Sequence, residues 1–288
     1  MSHKTLVASA PGSLMLLGEH AVLYGHPAIV MNIENRVFAS LTPLDTSDIQ
    51  ITTPLWNLSF PVQHFPEAPY SKCQEYVLSS LKTWVIQQGL GSTGISLNIT
   101  SDFEPGVGLG SSTAVVVATL KALNQLRNFA LSPKEIFLLS LKIIRKIQGM
   151  ASGADIAASL YEGTLFYQQK EFILLPVRPL IEWKFSGTKV PTQTAIEHVN
   201  AFNEDYRDDI FEKMRTVVLR GRKACEERDA IAFAACLKAN QKLMMDLLLD
   251  TPALKAARYL LEQDPSILAS KISGAGLGDG VIGFKGFA

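Results

Sequence analysis

In the first hundred residues, hydrophobic and polar positions follow patterns that are typical of β-strands. Ile95, Leu97 and Ile99 alternate with polar residues, which predicts a strand with one buried face. Residues 6–10 and 28–31 are short apolar runs separated by a segment that contains Gly and His. These runs predict two further strands.

Helical patterns follow these strands. Residues 113–126 are almost continuously Ala, Val and Leu, which predicts a buried helix. Ser132, Pro133 and Glu135 stand in the order of an N-cap, a first helical residue and a capping-box partner, so a helix is expected from there to about residue 147. Another helix is predicted to begin near Ser152.

The remainder of the chain mixes strands with long helices. Residues 163–177 predict two strands joined by a polar turn, and residues 183–185 predict another. Three helices and a final strand, glycine loop and strand are expected over residues 192–222, 228–249, 252–262 and 269–284. Pro179 marks a predicted boundary between an N-terminal domain, residues 1–178, and a C-terminal domain, residues 179–288. The fold class is therefore α+β in two halves.

Composition describes a globular chain and excludes several classes of protein. The 288 residues are 47% hydrophobic, which is enough for a substantial core. Balanced charge, 27 basic against 27 acidic residues, argues against a nucleic-acid partner. No apolar run reaches the roughly 18 residues of a membrane span, and no signal peptide is recognisable, so the cytoplasm is the expected compartment. Cys73, Cys225 and Cys236 are too widely spaced to indicate a disulfide framework or a zinc site.

A glycine-rich segment is the strongest candidate for chemistry. It lies between a predicted strand and a predicted helix, where backbone N–H groups and the helix end can surround a phosphate. The spacing is neither a Rossmann fingerprint nor a Walker A loop, and a tight turn without a ligand is the alternative. Ser111 could also bind a magnesium ion. The candidate nucleotide-binding residues are Pro105, Gly106, Gly108, Leu109, Gly110, Ser111 and Ser112.

Three motifs, taken together, resemble those of the GHMP kinases. PGVGLGSSTA at residues 105–114 resembles the second motif of that family, PxGxGLGSSAA. APGSLMLLGEHAVLYG at residues 10–25 resembles the first motif, and KISGAGLG at residues 271–278 resembles the third. The resemblance implies the two-domain GHMP kinase fold, with a ribosomal protein S5 domain 2-like N-terminal domain and a ferredoxin-like C-terminal domain. It also implies ATP and Mg²⁺ as cofactors, with Gly274, Ala275 and Gly276 as further nucleotide-binding residues.

Local segments resemble the mevalonate kinase branch of this family. They are GEHAVLYG at residues 18–25, SGAD at residues 152–155, and TKVP at residues 188–191 followed by Thr194. The resemblance implies ATP-dependent phosphorylation of mevalonate to 5-phosphomevalonate in isoprenoid biosynthesis. Asp279 after the third motif favours phosphomevalonate kinase as an alternative. Another GHMP small-molecule kinase, or a non-catalytic nucleotide-binding protein of this fold, are further alternatives.

The resemblance also assigns roles around the acceptor. Asp155 would face the acceptor alcohol as the catalytic residue, and its place in the first turn of a helix predicts a lowered pKa. Glu19, His20, Ser152 and Thr194 would bind the substrate, with His20 hydrogen-bonding its carboxylate. Without the motif, Asp155 would be read as a complement to the helix dipole, and Glu19 with His20 as a solvated pair.

Two positions depart from the family pattern. Ser13 stands where mevalonate kinases carry a Lys, and Ile144 stands where they carry a magnesium-binding Glu. Lys189 or Lys4 could supply the missing charge, the acceptor could differ, or activity could be weak or lost. The apolar segment 237–249 could form a homodimer interface or belong to the core.

Overall fold

A computed structural model describes residues 4–65, 67, 70–90, 93–103, 108–128 and 130–288. The described residues form two compact units that interleave along the chain. The first unit holds residues 4–12, 34–103 and 110–151, and the second holds residues 13–33, 108–109 and 152–288. The boundary at residue 179 between an N-terminal and a C-terminal domain stays a prediction.

The sheet of the first unit is built on two long strands, β1 (Leu6–Leu17) and β2 (Ala28–Leu44), which pair with each other and continue into the second unit. In the first unit, β2 pairs antiparallel with β5 (Gly94–Ser101), where Ile95, Leu97 and Ile99 are buried as predicted. Two strands that the sequence analysis missed complete the order β4-β3-β5-β2: β3 (Asp48–Thr52) and β4 (Asn57–Pro61).

Three helices belong to the first unit: α1 (Lys72–Gln88), α2 (Ser111–Leu126) and α3 (Pro133–Gln148). Helix α2 is buried along most of its length, as its continuous apolar sequence predicts. Helix α3 begins with the predicted capping box, in which the Ser132 N–H donates to Glu135 Oε2 at 2.7 Å. Helix α1 was not predicted.

The second unit contains a short hairpin and a separate sheet. A 3-10 helix (Ala21–Tyr24) and α4 (Ala154–Tyr161) precede the predicted hairpin β6 (Thr164–Gln168) and β7 (Glu171–Leu174). Strand β6 pairs with the first residues of β2. The separate sheet is antiparallel in the order β8-β10-β9, formed by β8 (Pro179–Phe185), β9 (Ala269–Ser273) and β10 (Gly280–Phe287).

Four helices complete the second unit: α5 (Thr192–Asn200), α6 (Glu204–Glu227), α7 (Ala230–Asp246) and α8 (Pro252–Glu262). The prediction of one continuous helix over 192–222 is wrong, because the chain breaks between α5 and α6. Asn203 causes the new start, since its side chain accepts the Tyr206 N–H at 3.2 Å and caps α6.

Glycine allows α6 to pack closely on the strands beneath it. A Cβ at Gly221 would lie 2.4 Å from Leu17 Cδ1 and 3.4 Å from Ile29 Cδ1. The segment 237–249 is mostly core, with Leu237, Met244 and Leu249 fully buried. Among the described residues, none of the helices is long and apolar enough to cross a membrane.

Candidate active site

Ser13 joins two of the predicted functional segments within the second unit. It lies on β1 with only 2% of its surface exposed. Its N–H donates to the carbonyl of Leu109, in the glycine loop, at 3.0 Å. Its Oγ donates to Asp155 Oδ1 at 2.8 Å. The residue that departs from the family pattern is therefore the hydrogen-bond partner of the predicted catalytic carboxylate.

Asp155 lies in the first turn of α4, as predicted. Gly153 opens the helix with φ at 100°, a left-handed value that glycine adopts without strain. Ser152 supports this turn, because its Oγ accepts the Ala154 N–H at 3.2 Å and its carbonyl accepts the Tyr167 hydroxyl at 2.6 Å. The turn thus holds the Asp155 carboxylate toward Ser13.

The pKa of Asp155 is raised, so the prediction of a lowered value is wrong. Burial is the largest cause, because it disfavours the charged carboxylate. The hydrogen bond from Ser13 lowers the pKa in part, and the negative charge of Glu19 raises it further. Desolvation therefore outweighs the helix dipole from which the prediction was made.

Glu19 is compensated by protein groups on both carboxylate oxygens. Oε1 accepts a hydrogen bond from Lys271 Nζ, and Oε2 accepts one from Asn240 Nδ2 at 2.9 Å. Lys271 is fully buried and also donates to the carbonyl of Ile272. Burial lowers the pKa of Lys271, while the charge of Glu19 and its hydrogen bond raise it.

Lys271 has no role predicted from the sequence, although it is the first residue of the third motif. A sequence signal was available, because Lys271 lies within a segment that is predicted as a strand. The structure confirms this strand and buries all five of its residues. A buried lysine needs a counter-charge. The interaction with Glu19 joins the first motif to the third.

His20 connects the same two motifs through its ring. It is buried with φ at 60°, and its Nε2 lies 2.7 Å from the carbonyl of Ala275, which requires the proton on Nε2. Burial lowers the pKa of His20 and favours the neutral ring. A neutral ring bonded in this way offers only an acceptor at Nδ1. A hydrogen bond to a substrate carboxylate therefore needs a protonated ring or release of the Ala275 carbonyl.

Within the second unit, the glycine loop contacts the residue that follows the third motif. Gly108 has φ at 79°, and a Cβ on it would lie 2.8 Å from Asp279 Cβ. Gly274 and Gly276 also have positive φ, and Gly276 packs against Leu249. Pro105 and Gly106 lie outside the described residues.

Asp279 is held by its backbone and leaves one side-chain oxygen unpaired. Its N–H donates to the Thr188 carbonyl at 2.7 Å, and its carbonyl accepts the Ser186 N–H at 2.8 Å. Oδ1 is buried without a hydrogen-bond partner among the described residues. Burial raises the pKa of Asp279, and the positive charge of Lys189 opposes this rise.

The start of α2 belongs to the first unit. Gly110 precedes the helix with φ at 67°, followed by Ser111 and Ser112 in the first turn. Their hydroxyls have no hydrogen-bond partner in the part of the chain that the structure describes. No acidic residue lies in this turn, so the positive end of the helix is not neutralised locally.

Thr194, Lys4 and Ile144 take part in none of the contacts described above. Thr194 is exposed in the first turn of α5, and Lys4 is exposed ahead of β1. Ile144 is buried in α3, so this position supplies no metal ligand. Of the two cations expected to compensate for Ser13, Lys189 is the one whose charge acts on the third-motif loop.

A resident metal cage is absent from the described residues. They contain no group of three or more His, Cys, Asp or Glu side chains that could hold a metal ion. Magnesium commonly takes only one or two carboxylates and completes its shell with phosphates and water. The unpaired oxygen of Asp279 fits a magnesium ion of this kind, which is bound mainly by phosphates and water.

Comparisons with known proteins agree with this arrangement. The family model for the GHMP kinases N terminal domain matches residues 75–163. Mevalonate kinase of Pyrococcus abyssi is 32% identical over 293 residues, covering 96% of this chain and 87% of that protein. The crystal structure of Methanococcus jannaschii mevalonate kinase superposes with a TM-score of 0.82 at 24% identity, covering 98% of this chain and 90% of that one.

A sibling enzyme also shares the fold. Streptococcus pneumoniae phosphomevalonate kinase, solved in complex with phosphomevalonate and AMPPNP, superposes with a TM-score of 0.79 at 19% identity. The superposition covers 98% of this chain and 92% of the phosphomevalonate kinase chain. The identity to the archaeal relative over nearly the full length is what decides the assignment. The chain belongs to the mevalonate kinase family, within the GHMP kinases.

Proposed function

We propose that the protein transfers the γ-phosphate of ATP to the primary hydroxyl of mevalonate, giving 5-phosphomevalonate and ADP. The observation that carries this proposal is the placement of Asp155. Its carboxylate is held by Ser13, the same residue whose backbone bonds to the glycine loop at Leu109. A base for the acceptor hydroxyl and a phosphate-binding loop thus share one anchoring residue.

Asp155 is the group that we propose accepts the proton. Burial raises its pKa, which makes the carboxylate a stronger base than an exposed aspartate. In the reaction, the acceptor oxygen forms a bond to the γ-phosphorus while the bond from that phosphorus to the β,γ-bridging oxygen breaks. ADP leaves with that electron pair, and the hydroxyl proton moves to Asp155.

Ser13 positions this base. Its hydroxyl donates a hydrogen bond to Asp155 Oδ1, and we propose that Oδ2 accepts the hydroxyl of the acceptor alcohol. A serine hydroxyl carries no charge and therefore cannot neutralise the transferred phosphoryl group as a lysine would. We propose that Lys189, beside Asp279, contributes part of the missing positive charge.

The nucleotide would be held by both glycine loops and the start of α2. The residues proposed for ATP are Pro105, Gly106, Gly108, Leu109, Gly110, Ser111, Ser112, Gly274, Ala275 and Gly276. Mg²⁺, when bound with ATP, neutralises charge on the phosphates. The Ser111 hydroxyl, unpaired at a helix N-terminus, is proposed as one of its ligands.

The substrate is proposed to contact the first-motif pair and the segment before α4. His20 and Ser152 are the strongest candidates for this contact. His20 is bonded to Ala275 in the third motif, and Ser152 accepts the N–H of Ala154, the residue before Asp155. Glu19 is bonded to Lys271 and Asn240, so we propose that it shapes the site rather than meeting the substrate with a free carboxylate. Thr194 is proposed as a more distant contact. We further propose a cytoplasmic enzyme.

An acceptor screen tests the proposed function. ADP release from MgATP would be measured with mevalonate, phosphomevalonate, homoserine and galactose, alongside direct binding of ATP. Mevalonate is expected to give the highest kcat/KM. ATP binding without turnover of any acceptor would contradict the kinase assignment.

Phosphomevalonate kinase activity is the second candidate. Asp279, which follows the third motif, is the observation that favours it. In the same screen, a higher kcat/KM for phosphomevalonate than for mevalonate would establish this alternative.

A further inference from the structure

Asp279 presents an unexplained carboxylate next to the glycine loop. Its Oδ1 is buried and accepts no hydrogen bond from any described residue, although buried polar atoms are normally paired. The side chain lies close to the backbone of Gly108, since a Cβ on Gly108 would lie 2.8 Å from Asp279 Cβ and 3.2 Å from its Cγ. The carboxylate therefore lies against a loop that we propose binds phosphates.

This placement is unfavourable for a nucleotide alone. Two like charges at close range in a partly buried site repel each other, and the repulsion is stronger there than in water. The positive charge of Lys189 compensates Asp279 in part, but Lys189 is itself exposed. A divalent cation between the carboxylate and the phosphates would remove the repulsion and satisfy Oδ1.

We propose that Asp279 is a ligand of the divalent cation that arrives with the nucleotide, and this inference rests on the proposed function. Mg²⁺ is commonly bound by one or two carboxylates together with substrate phosphates, so one aspartate is a sufficient protein contribution. The proposal accounts for a chain whose expected metal-binding position holds Ile144, a buried core residue of α3. The proposed acidic ligand is instead the residue that follows the third motif.

The surroundings of Asp279 are built to hold the carboxylate in place. Backbone hydrogen bonds to Thr188 and Ser186 fix the residue at φ 63°, a left-handed conformation. A Cβ on the next residue, Gly280, would lie 2.6 Å from Trp183 Nε1, a buried donor that also has no partner among the described residues. An unpaired donor on β8 and an unpaired acceptor directly before its partner strand β10 are thus left for a charged ligand or its water shell to satisfy.

Asp279→Asn is the most informative substitution. Asparagine has nearly the same shape, tolerates left-handed φ values and removes the charge. Asp279→Gly serves as a second variant, since glycine adopts φ 63° without strain and removes both side-chain oxygens. Glu227→Gln is the matched control, because it removes one negative charge from an exposed pair with Lys223.

The experiment measures ATP affinity by calorimetry with excess Mg²⁺ and with a chelator. The readout is the dissociation constant of ATP with the chelator divided by that with Mg²⁺. This ratio reports how strongly the metal and the nucleotide cooperate in binding to the protein. Asp279→Asn is expected to lower this ratio by about tenfold, as changes around metal sites commonly do. The affinity for metal-free ATP is expected to stay equal or increase, because a repulsive charge is gone. Electron paramagnetic resonance of Mn²⁺ with AMPPNP and each variant provides a second readout, in which the variant is expected to retain less bound Mn²⁺.

The outcomes separate this inference from the proposed function. A wild-type protein that binds no nucleotide would overturn both. A wild-type protein that binds MgATP and phosphorylates mevalonate, together with an unchanged ratio in both Asp279 variants, would overturn the metal-ligand inference alone. An equal loss of affinity with and without metal would also overturn it, since that result indicates a structural role. Glu227→Gln is expected to leave the ratio unchanged.

Discussion

Glu19 and Asp155 are two carboxylates of the same unit in very different surroundings. Glu19 receives hydrogen bonds on both oxygens, from Lys271 and Asn240, and one of these donors is a cation. Asp155 accepts a side-chain hydrogen bond from the neutral hydroxyl of Ser13, and burial raises its pKa. We propose that the compensated carboxylate has a structural role and that the under-compensated one accepts the proton.

The difference in hydrogen-bond partners distinguishes a structural role for Glu19 from a chemical role for Asp155 more clearly than the sequence motifs do. Both residues lie in segments that resemble motifs of the same family, and either could be assigned to substrate or catalysis on that basis. The hydrogen-bond inventory distinguishes them, since a buried charge paired with an opposite charge has little remaining capacity for a ligand. Substitutions at Asp155, Lys271 and Ser13 test the distinction.

The largest effect is expected from Asp155→Asn. Loss of the proton acceptor should lower kcat by about a thousandfold, within the usual contribution of a general base. ATP affinity, measured directly, should stay close to that of the wild type, because Asp155 is not among the residues proposed for the nucleotide. Full activity of the variant would remove Asp155 from the mechanism.

The next effect concerns stability rather than turnover. Lys271→Met leaves Glu19 buried without its cation, which should lower the free energy of unfolding by about 3 kcal/mol or more. Urea denaturation would measure this change. The double variant Lys271→Met with Glu19→Gln should recover part of the loss, because no uncompensated charge remains buried. If the double variant were as unstable as the single variant plus the separate effect of Glu19→Gln, the two residues would not be energetically coupled.

The smallest effect is expected from Ser13→Ala, and its signature is a pH dependence. The Ser13 hydrogen bond lowers the pKa of Asp155, so its loss should raise that pKa further. A hydrogen bond to a charged group is worth about 1.5 kcal/mol, which corresponds to about tenfold in kcat where the base is limiting. The acidic limb of the pH–rate profile should move to higher pH.

Two results would change the interpretation of Ser13. A uniform drop in kcat across all pH values would indicate that the Ser13 hydroxyl orients the Asp155 carboxylate without setting its pKa. A limb that moves to lower pH would contradict the direction derived from the hydrogen bond. Ser13→Thr, which keeps a hydroxyl, is expected to restore the wild-type limb.

Local signals predicted much of the fold. The capping box at Ser132 and Glu135 located the start of α3, and the alternation at Ile95, Leu97 and Ile99 located β5. A comparable signal was overlooked at α1, where the Ser71 N–H donates to Gln74 Oε1 at 3.2 Å in another capping box. The break before α6 was likewise available from the N-cap Asn203.

Contacts between distant residues could not be predicted in this way. Ser13 lies 142 positions from Asp155, and nothing in the local sequence indicates that they meet. The helix dipole at Asp155 is a local property, whereas burial depends on every segment packed around the residue. The predicted direction of the pKa was wrong for that reason. The same holds for Asp279, whose unpaired oxygen is visible only once the loop is folded against Gly108.

The interaction between Glu19 and Lys271 also has a consequence for synthesis of the chain. The two residues are 252 positions apart, so the carboxylate leaves the ribosome long before its cation is made. Domains often begin to fold during synthesis from the N-terminal side. The segment around Glu19 cannot reach its final buried state until β9 has been translated. An emerging chain therefore cannot form this buried ion pair before Lys271 has been made.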